Sequence, residues 1–132
     1  MKIAISATDG NIEAPYAPNF GRAAYFVLMN TDTDTWQAVA NPGMSASGGA
    51  GVQAAQLVIN QGAQAVISGS FGPHAYQALE AAGLPMYLAP AGTVSSVCQL
   101  VDWFKAGRLH VIGGPTNAAG HGATGQAAQG RR

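Results

Sequence analysis

Residues 63–89, AQAVISGSFGPHAYQALEAAGLPMYLA, contain the pattern that decides the fold class. The apolar runs 63–68 and 84–89 each predict a short, buried strand. Between them, Gly72-Pro73 is typical of a helix start, and the apolar residues that follow recur at helical spacing as far as Gly83. A strand-helix-strand unit joins two parallel strands through a right-handed crossover, so this segment predicts an α/β fold.

Three further strands are predicted upstream of this unit, at residues 2–7, 24–30 and 35–41. The polar residues 31–34 separate the last two strands and suit a hairpin, so these strands should be antiparallel neighbours. A Gly-rich segment then leads into a helix that Gly62 ends. Together with the two strands of the opening segment, this arrangement predicts a mixed five-stranded sheet with helices packed on it.

The C-terminal part of the chain adds one more helix and a tail. Thr93 is the expected N-cap of a third helix, and Cys98 lies on the apolar stripe of that helix, where we expect it to belong to the core. Residues 109–112 are compatible with a short extended segment. Residues 113–132 are rich in Gly, Ala, Gln and Asn without periodicity and are predicted to stay flexible. We therefore expect a single α/β domain at residues 1–112.

The composition of the chain excludes several functional classes. Six basic and six acidic residues give a formal net charge of zero, so the chain lacks the basic surface that nucleic acids or anionic membranes require. The single cysteine cannot form an internal disulfide, which favours a reducing compartment. The apolar start is too short for a signal peptide, and no stretch approaches the ~20 apolar residues of a membrane span. We expect a cytoplasmic protein.

The loops at the carboxyl edge of the parallel strands are the candidate functional site, because ligands in open α/β sheets bind in the crevice there. Three of these loops lead into a helix, and the free N–H groups of a helix N-terminus favour an anion. The SASGGAG segment at 45–51 is small enough for backbone amides to approach a bulky ligand, and Ser45 and Ser47 add hydroxyl groups. His74, in the first turn of the second helix, is a candidate metal ligand or simply a half-exposed histidine.

Other chemistries lack the residues that they require. The GAGVQA sequence at 49–54 fits the loose dinucleotide-binding pattern, but it does not follow the first strand directly, and no acidic residue stands about 20 positions later. The phosphate-binding loop is excluded because no Gly-Lys-Ser/Thr is present. The sequence also lacks a Cys-x-x-Cys or His-x-x-His pair for a self-contained zinc or iron-sulfur site, and a nucleophile elbow. No enzymatic activity is predicted.

Several short motifs, taken in order, resemble those of the dinitrogenase iron-molybdenum cofactor biosynthesis family over roughly residues 1–109. They are NFGRA at 19–23 with Tyr25-Phe26, Asn41-Pro42, SASGGAG at 45–51, AVISG at 65–69, GPHA at 72–75 and GTV at 92–94. The resemblance implies a three-layer, ribonuclease H-like fold with helices on both faces of the sheet. It implies noncatalytic carriage or storage of a molybdenum- or iron-sulfur cluster. The family includes the orange proteins, which hold a molybdenum-copper sulfide cluster noncovalently.

The family often has histidine just before Phe-Gly-Arg, where this chain has Asn19, so the resemblance implies an electrostatic mode of cluster binding rather than an imidazole ligand there. The residues expected to bind the cluster lie in the loops at the sheet edge, with His74 also a metal ligand: Asn19, Arg22, Ser45, Ser47, Gly48, Gly49, Gly51, Gly72, His74 and Thr93. Two alternatives remain open, a protein-interaction or regulatory module that uses the same loops, and a nucleotide- or phosphate-binding domain. A protein partner for cluster delivery also remains open.

Overall fold

Six strands and three α-helices make up the part of the chain that the computed structural model describes, residues 1–45, 49–90 and 96–116. The strands are β1 (Lys2–Ala7), β2 (Tyr25–Asn30), β3 (Thr35–Ala40), β4 (Ala65–Ser68), β5 (Met86–Leu88) and β6 (His110–Val111). The helices are α1 (Ala50–Asn60), α2 (Pro73–Ala81) and α3 (Val97–Lys105), and two 3₁₀ helices span Phe20–Arg22 and Pro42–Ser45. Within these ranges, none of the helices has the length and apolar character that a membrane crossing requires.

The strands form one mixed sheet in the order β3-β2-β1-β4-β5-β6. β1, β4 and β5 are parallel, whereas β2, β3 and β6 pair antiparallel with their neighbours. The predicted hairpin is confirmed, because Asn30 at the end of β2 pairs with Thr35 at the start of β3. The prediction of five strands is wrong, because β6 adds a sixth through the pairing of His110 with Leu88. A two-residue strand is too short to show an alternating sequence pattern.

Helices cover both faces of the sheet, and the central strands are buried on both sides. In β1, Ala4 belongs to the core shared with α1 and α2, whereas Ile3 and Ile5 belong to the core shared with α3. All three residues are fully buried. A continuous apolar run is typical of a strand covered on both faces, which explains why β1 has the bounds that the sequence predicts.

The start of α3 differs from the prediction. Its N-cap is Ser96, whose hydroxyl accepts a hydrogen bond from the Gln99 N–H, while the Gln99 side chain accepts one from the Ser96 N–H. This reciprocal capping box starts the helix three residues later than a cap at Thr93, which lies outside the described residues. Cys98 is partly exposed, so the prediction that it belongs to the core is wrong. The buried face of α3 consists of Val97, Leu100 and Val101.

The chain returns to the domain after β6. The Thr116 N–H donates to the Phe71 carbonyl at 2.9 Å, and Thr116 Oγ1 accepts a hydrogen bond from the Phe71 N–H at 2.7 Å. Residues 113–116, predicted to begin the flexible tail, therefore end in a contact with the segment between β4 and α2. Residues 117–132, the remainder of the predicted tail, lie outside the described residues.

Candidate functional site

The carboxyl ends of β1, β4 and β5 lie at one edge of the sheet. β1 and β4 are neighbours, but the chain leaves β1 toward β2 on one side and leaves β4 toward α2 and β5 on the other. A crevice forms where two such connections diverge, and ligands of open α/β sheets bind in it. We therefore describe this edge, formed by the segments that follow β1, β3 and β4, as the candidate site.

Two buried serines tie the segment after β1 to the sheet. The hydroxyl oxygens of Ser6 in β1 and Ser68 in β4 lie 2.8 Å apart, and both residues are fully buried. Ser6 Oγ donates to the Ala17 carbonyl at 2.7 Å, and the Ala17 N–H donates to the Ser6 carbonyl at 2.9 Å. Because a buried polar group without a partner costs roughly 1–3 kcal/mol, this network fixes the segment that leads to Arg22.

Asn41 joins the 3₁₀ helix Phe20–Arg22 to the segment that precedes α1. The residue is only 5% exposed. Its side-chain NH₂ donates to the carbonyls of Ala23 at 2.8 Å and Gly21 at 3.3 Å, and its Oδ1 accepts a hydrogen bond from the Gly43 N–H at 3.0 Å. One buried amide therefore holds two segments of the candidate site in a fixed relation.

Glycines allow three backbone segments of the candidate site to touch. A Cβ atom on Gly21 would lie 3.1 Å from the Cα and N atoms of Gly51, and a Cβ atom on Gly51 would lie 3.2 Å from the Cβ and N atoms of Ala75. The Phe20–Arg22 helix therefore lies against the first turn of α1, and the first turn of α1 lies against that of α2. No side chain wider than a methyl group separates them.

The N-termini of α1 and α2 offer N–H groups at this contact. Their N-cap residues are Gly49 and Gly72, and within the described residues neither helix has a side-chain cap hydrogen bond. Gly49 adopts a φ of 72°, a left-handed conformation that favours glycine. The N–H groups of residues 50–52 in α1, and of His74 and Ala75 in α2, have no partner within their helices. The first residue of α2 is proline, which has no N–H.

The N-terminus of α3 offers no such groups. Its first two N–H groups donate to the carbonyls of Ala14 and Ile12, at 2.9 and 2.8 Å, and the third donates to Ser96 Oγ at 3.1 Å. The prediction that three helix N-termini present free N–H groups is therefore wrong for α3, because the segment after β1 already binds them. Among the residues that the structure describes, the N-termini of α1 and α2 have no such partners.

Asn19 and Arg22 occupy the two ends of the first 3₁₀ helix. Asn19 Oδ1 accepts a hydrogen bond from the Arg22 N–H at 3.1 Å, so Asn19 is the N-cap of this helix. Arg22 is exposed and directly follows Gly21, the residue in contact with α1. Asn19 thus has a local structural role as a helix cap, and Arg22 lies next in sequence to the residue that contacts the N-terminus of α1.

The other predicted site residues divide into described and undescribed ones. His74 is exposed at the second position of α2, directly after the proline that follows the N-cap Gly72. Ser45 is the last residue of the second 3₁₀ helix. The predicted site residues outside the described part of the chain are Ser47, Gly48 and Thr93.

The predicted site residues did not include three polar residues that shape this edge: Ser6, Asn41 and Ser68. A polar residue at or just beyond the end of an apolar strand was the available signal, and Asn41-Pro42 belongs to one of the motifs that carry the family resemblance. The partnership between Ser6 and Ser68 joins positions 62 residues apart, so it becomes visible only when β1 and β4 are paired.

The edge presents hydrogen-bond donors rather than a set of metal ligands. Within residues 1–45, 49–90 and 96–116, no group of three or more His, Cys, Asp or Glu side chains could hold a metal ion. Neither α1 nor α2 has an acidic residue in its first turn. Two helix N-termini and the cationic Arg22 therefore favour an anion, and each N-terminus contributes ~0.3–1 kcal/mol to binding a charge at an exposed position.

Tyr76 in α2 has a pKa above its usual value. Partial burial and the carboxylate of Glu80, 3.3 Å from the phenol oxygen, raise the pKa of Tyr76 above its usual value. This shift moves ionisation of the phenol further from neutral pH. A general acid or base works best when its pKa lies near the operating pH, so Tyr76 is poorly suited to that role.

Comparisons with known proteins connect the chain to one family. The profile of the dinitrogenase iron-molybdenum cofactor family matches residues 1–103. The structure is similar to that of the apo form of the orange protein from Desulfovibrio gigas, with a TM-score of 0.82 and 35% identity over 88% of this chain and 96% of that chain. A NifB-type protein from Thermotoga matches with a TM-score of 0.70 and 26% identity, over 83% of this chain and 91% of that chain. An uncharacterized protein of Methanocaldococcus jannaschii is 27% identical over 112 residues, covering 83% of this chain and 89% of that protein.

Proposed function

The chain belongs to the dinitrogenase iron-molybdenum cofactor family, and on that premise we propose that it binds an anionic metal-sulfur cluster and carries or stores it without catalysing a reaction. One observation carries the proposal. The first turns of α1 and α2 and the Phe20–Arg22 helix touch one another at the carboxyl edge of the sheet, through Gly21, Gly51 and Ala75. This contact brings two sets of N–H donors together, and Arg22 directly follows Gly21 in the same contact.

The donor set fits a noncovalently held cluster. Sulfide atoms of a negatively charged cluster accept hydrogen bonds, and backbone N–H groups at helix N-termini together with Arg22 are suitable donors. A cluster anchored by protein thiolates would need several cysteines, whereas the sequence contains only Cys98. His74, exposed at the start of α2, is the side chain that we propose as a direct metal contact. Similarity to the orange protein favours the molybdenum-copper type over the iron-molybdenum type.

Three finer assignments belong to the same proposal. The strand order β3-β2-β1-β4-β5, with β2 antiparallel to both neighbours, supports a ribonuclease H-like arrangement. The protein acts in the cytoplasm, as expected for a fold that needs no disulfide. A protein partner delivers or receives the cluster, because a carrier must exchange its cargo.

The test is reconstitution of the purified apo-protein with tetrathiomolybdate plus copper, with molybdate alone as the control. After gel filtration, the visible spectrum and the metal content should show coloured, metal-bearing protein only in the sulfide mixture. Colourless, metal-free protein in both mixtures would refute cluster binding of this type.

A matched pair of variants tests the site. Arg22→Ala should weaken retention of the cluster by roughly threefold to tenfold, because a hydrogen bond from a charged group is lost at an exposed position. Arg108→Ala removes the same charge from a residue whose guanidinium lies 4.2 Å from the centre of the Trp103 ring, just after α3, and should retain the cluster like the wild type. Equal losses in the two variants would indicate that net charge, and not the candidate site, governs binding.

A further inference from the structure

Thr116 makes two hydrogen bonds to the backbone of a residue 45 positions away. Its N–H donates to the Phe71 carbonyl at 2.9 Å, and its Oγ1 accepts a hydrogen bond from the Phe71 N–H at 2.7 Å. Both backbone polar groups of Phe71 are thus bound to this one threonine. The contact lies in a partly buried environment, where a backbone N–H without a partner is costly.

Phe71 occupies a key position in the candidate site. It directly precedes Gly72, the N-cap of α2, and its fully buried ring lies 5.3 Å from the ring of Phe20. The preceding residue, Ser70, accepts a hydrogen bond from the Phe20 N–H at 3.1 Å through its carbonyl. The segment that leads into α2 is therefore held by the Phe20–Arg22 helix on one side and by Thr116 on the other.

From these contacts we infer that Thr116 is a positioning residue of the candidate site. By holding the Phe71 peptide, it fixes the segment from which α2 starts, and with it the direction of the His74 and Ala75 N–H groups. Its importance for ligand binding rests on the proposed function, whereas its effect on the segment can be measured in the ligand-free protein. The residue lies within residues 113–132, which sequence patterns assign to a flexible tail, so its role is found only from the structure.

The first experiment uses the ligand-free, full-length protein and amide hydrogen exchange measured by NMR. Thr116→Val removes the acceptor for the Phe71 N–H but keeps a side chain of similar shape, and Thr116→Ser keeps the hydroxyl. We expect exchange at Phe71 and Tyr76, whose N–H groups donate to Thr116 Oγ1 and to the Gly72 carbonyl, to be roughly fivefold faster in the valine variant and unchanged in the serine variant. Thr35→Val, in the edge strand β3, is the control and should leave both amides unaffected.

The second experiment measures release of a cluster loaded from tetrathiomolybdate plus copper. The half-time of release should fall by a similar factor in Thr116→Val and return to the wild-type value in Thr116→Ser. Unchanged amide exchange in Thr116→Val overturns the inference in any case. Faster exchange with wild-type release also overturns it, because Thr116 would then be structural only. If the wild-type protein fails to load, the proposed function fails, and the exchange data alone decide whether Thr116 positions the segment.

Discussion

Gly69→Ala should destabilise the protein through a single backbone contact. A Cβ atom at this position would lie 2.7 Å from the Pro18 carbonyl oxygen, 2.9 Å from Pro18 Cα and 3.1 Å from the ring of Tyr16. Gly69 has no positive φ, so the backbone conformation itself accepts alanine. The two closest atoms belong to the backbone, so the segment that carries Pro18 must move rather than a flexible side chain.

The size of the effect follows from two opposing contributions. Forcing an extra carbon into a packed contact costs ~1–3 kcal/mol, and replacing glycine by alanine recovers ~0.4–1 kcal/mol through the unfolded state. We therefore expect a loss of about 1–2 kcal/mol in the free energy of unfolding. Urea denaturation followed by circular dichroism measures it. Gly113→Ala is the control, because no atom of the described residues would lie within 4 Å of a Cβ atom there and the residue has no positive φ. Equal unfolding midpoints for the two variants would refute the reasoning.

Three further predictions concern stability. Ser6→Ala should cost about 1–2 kcal/mol in urea denaturation, because it leaves a buried carbonyl and a buried hydroxyl short of a partner; a wild-type midpoint would contradict this. Asp34→Asn should leave the midpoint unchanged, because the 2.6 Å ion pair of Asp34 with Lys105 is solvent-exposed; a clear drop would show that the pair stabilises the fold. Partial burial and Glu80 favour the neutral form of Tyr76 in the folded protein, and this contribution to stability is complete below the ordinary pKa of tyrosine and lost as pH rises through the raised pKa. Tyr76→Phe should therefore reduce the loss of stability at alkaline pH, and identical pH profiles of the unfolding midpoint for variant and wild type would contradict this.

Patterns that depend on neighbouring residues predicted most of the fold. The continuous apolar run of β1 and the polar connection between β2 and β3 correctly predicted these strands. Burial on both faces and hairpin formation each produce a pattern among neighbouring residues, so they can be predicted from a short stretch of sequence. The family resemblance drawn from short motifs is confirmed by the match over residues 1–103. The misplaced start of α3 was avoidable, since Ser96 has Gln99 three residues later, as a capping box requires, and Thr93 has no Glu or Gln at that spacing.

Contacts between distant residues account for what the sequence did not predict. β6 is defined by its pairing with β5, and the N–H groups of α3 are bound by carbonyls of a segment more than 80 residues earlier. Neither feature has a local sequence pattern. Gly51 illustrates the same limit in the candidate site. Its glycine character suggested close approach of a ligand, whereas the structure shows that it also allows contact with Ala75 in α2.

The backbone contact among the Phe20–Arg22 helix, α1 and α2 has a thermodynamic consequence. Helix N–H groups are held in direction by the helix itself, so a ligand bound to residues 50–52 and 74–75 would immobilise no rotamers there. Immobilising a long side chain such as arginine costs up to ~2 kcal/mol of conformational entropy. The contribution of these N–H groups to affinity should therefore depend mainly on how rigidly the three segments are held together, and little on the side chains of residues 50–52 and Ala75.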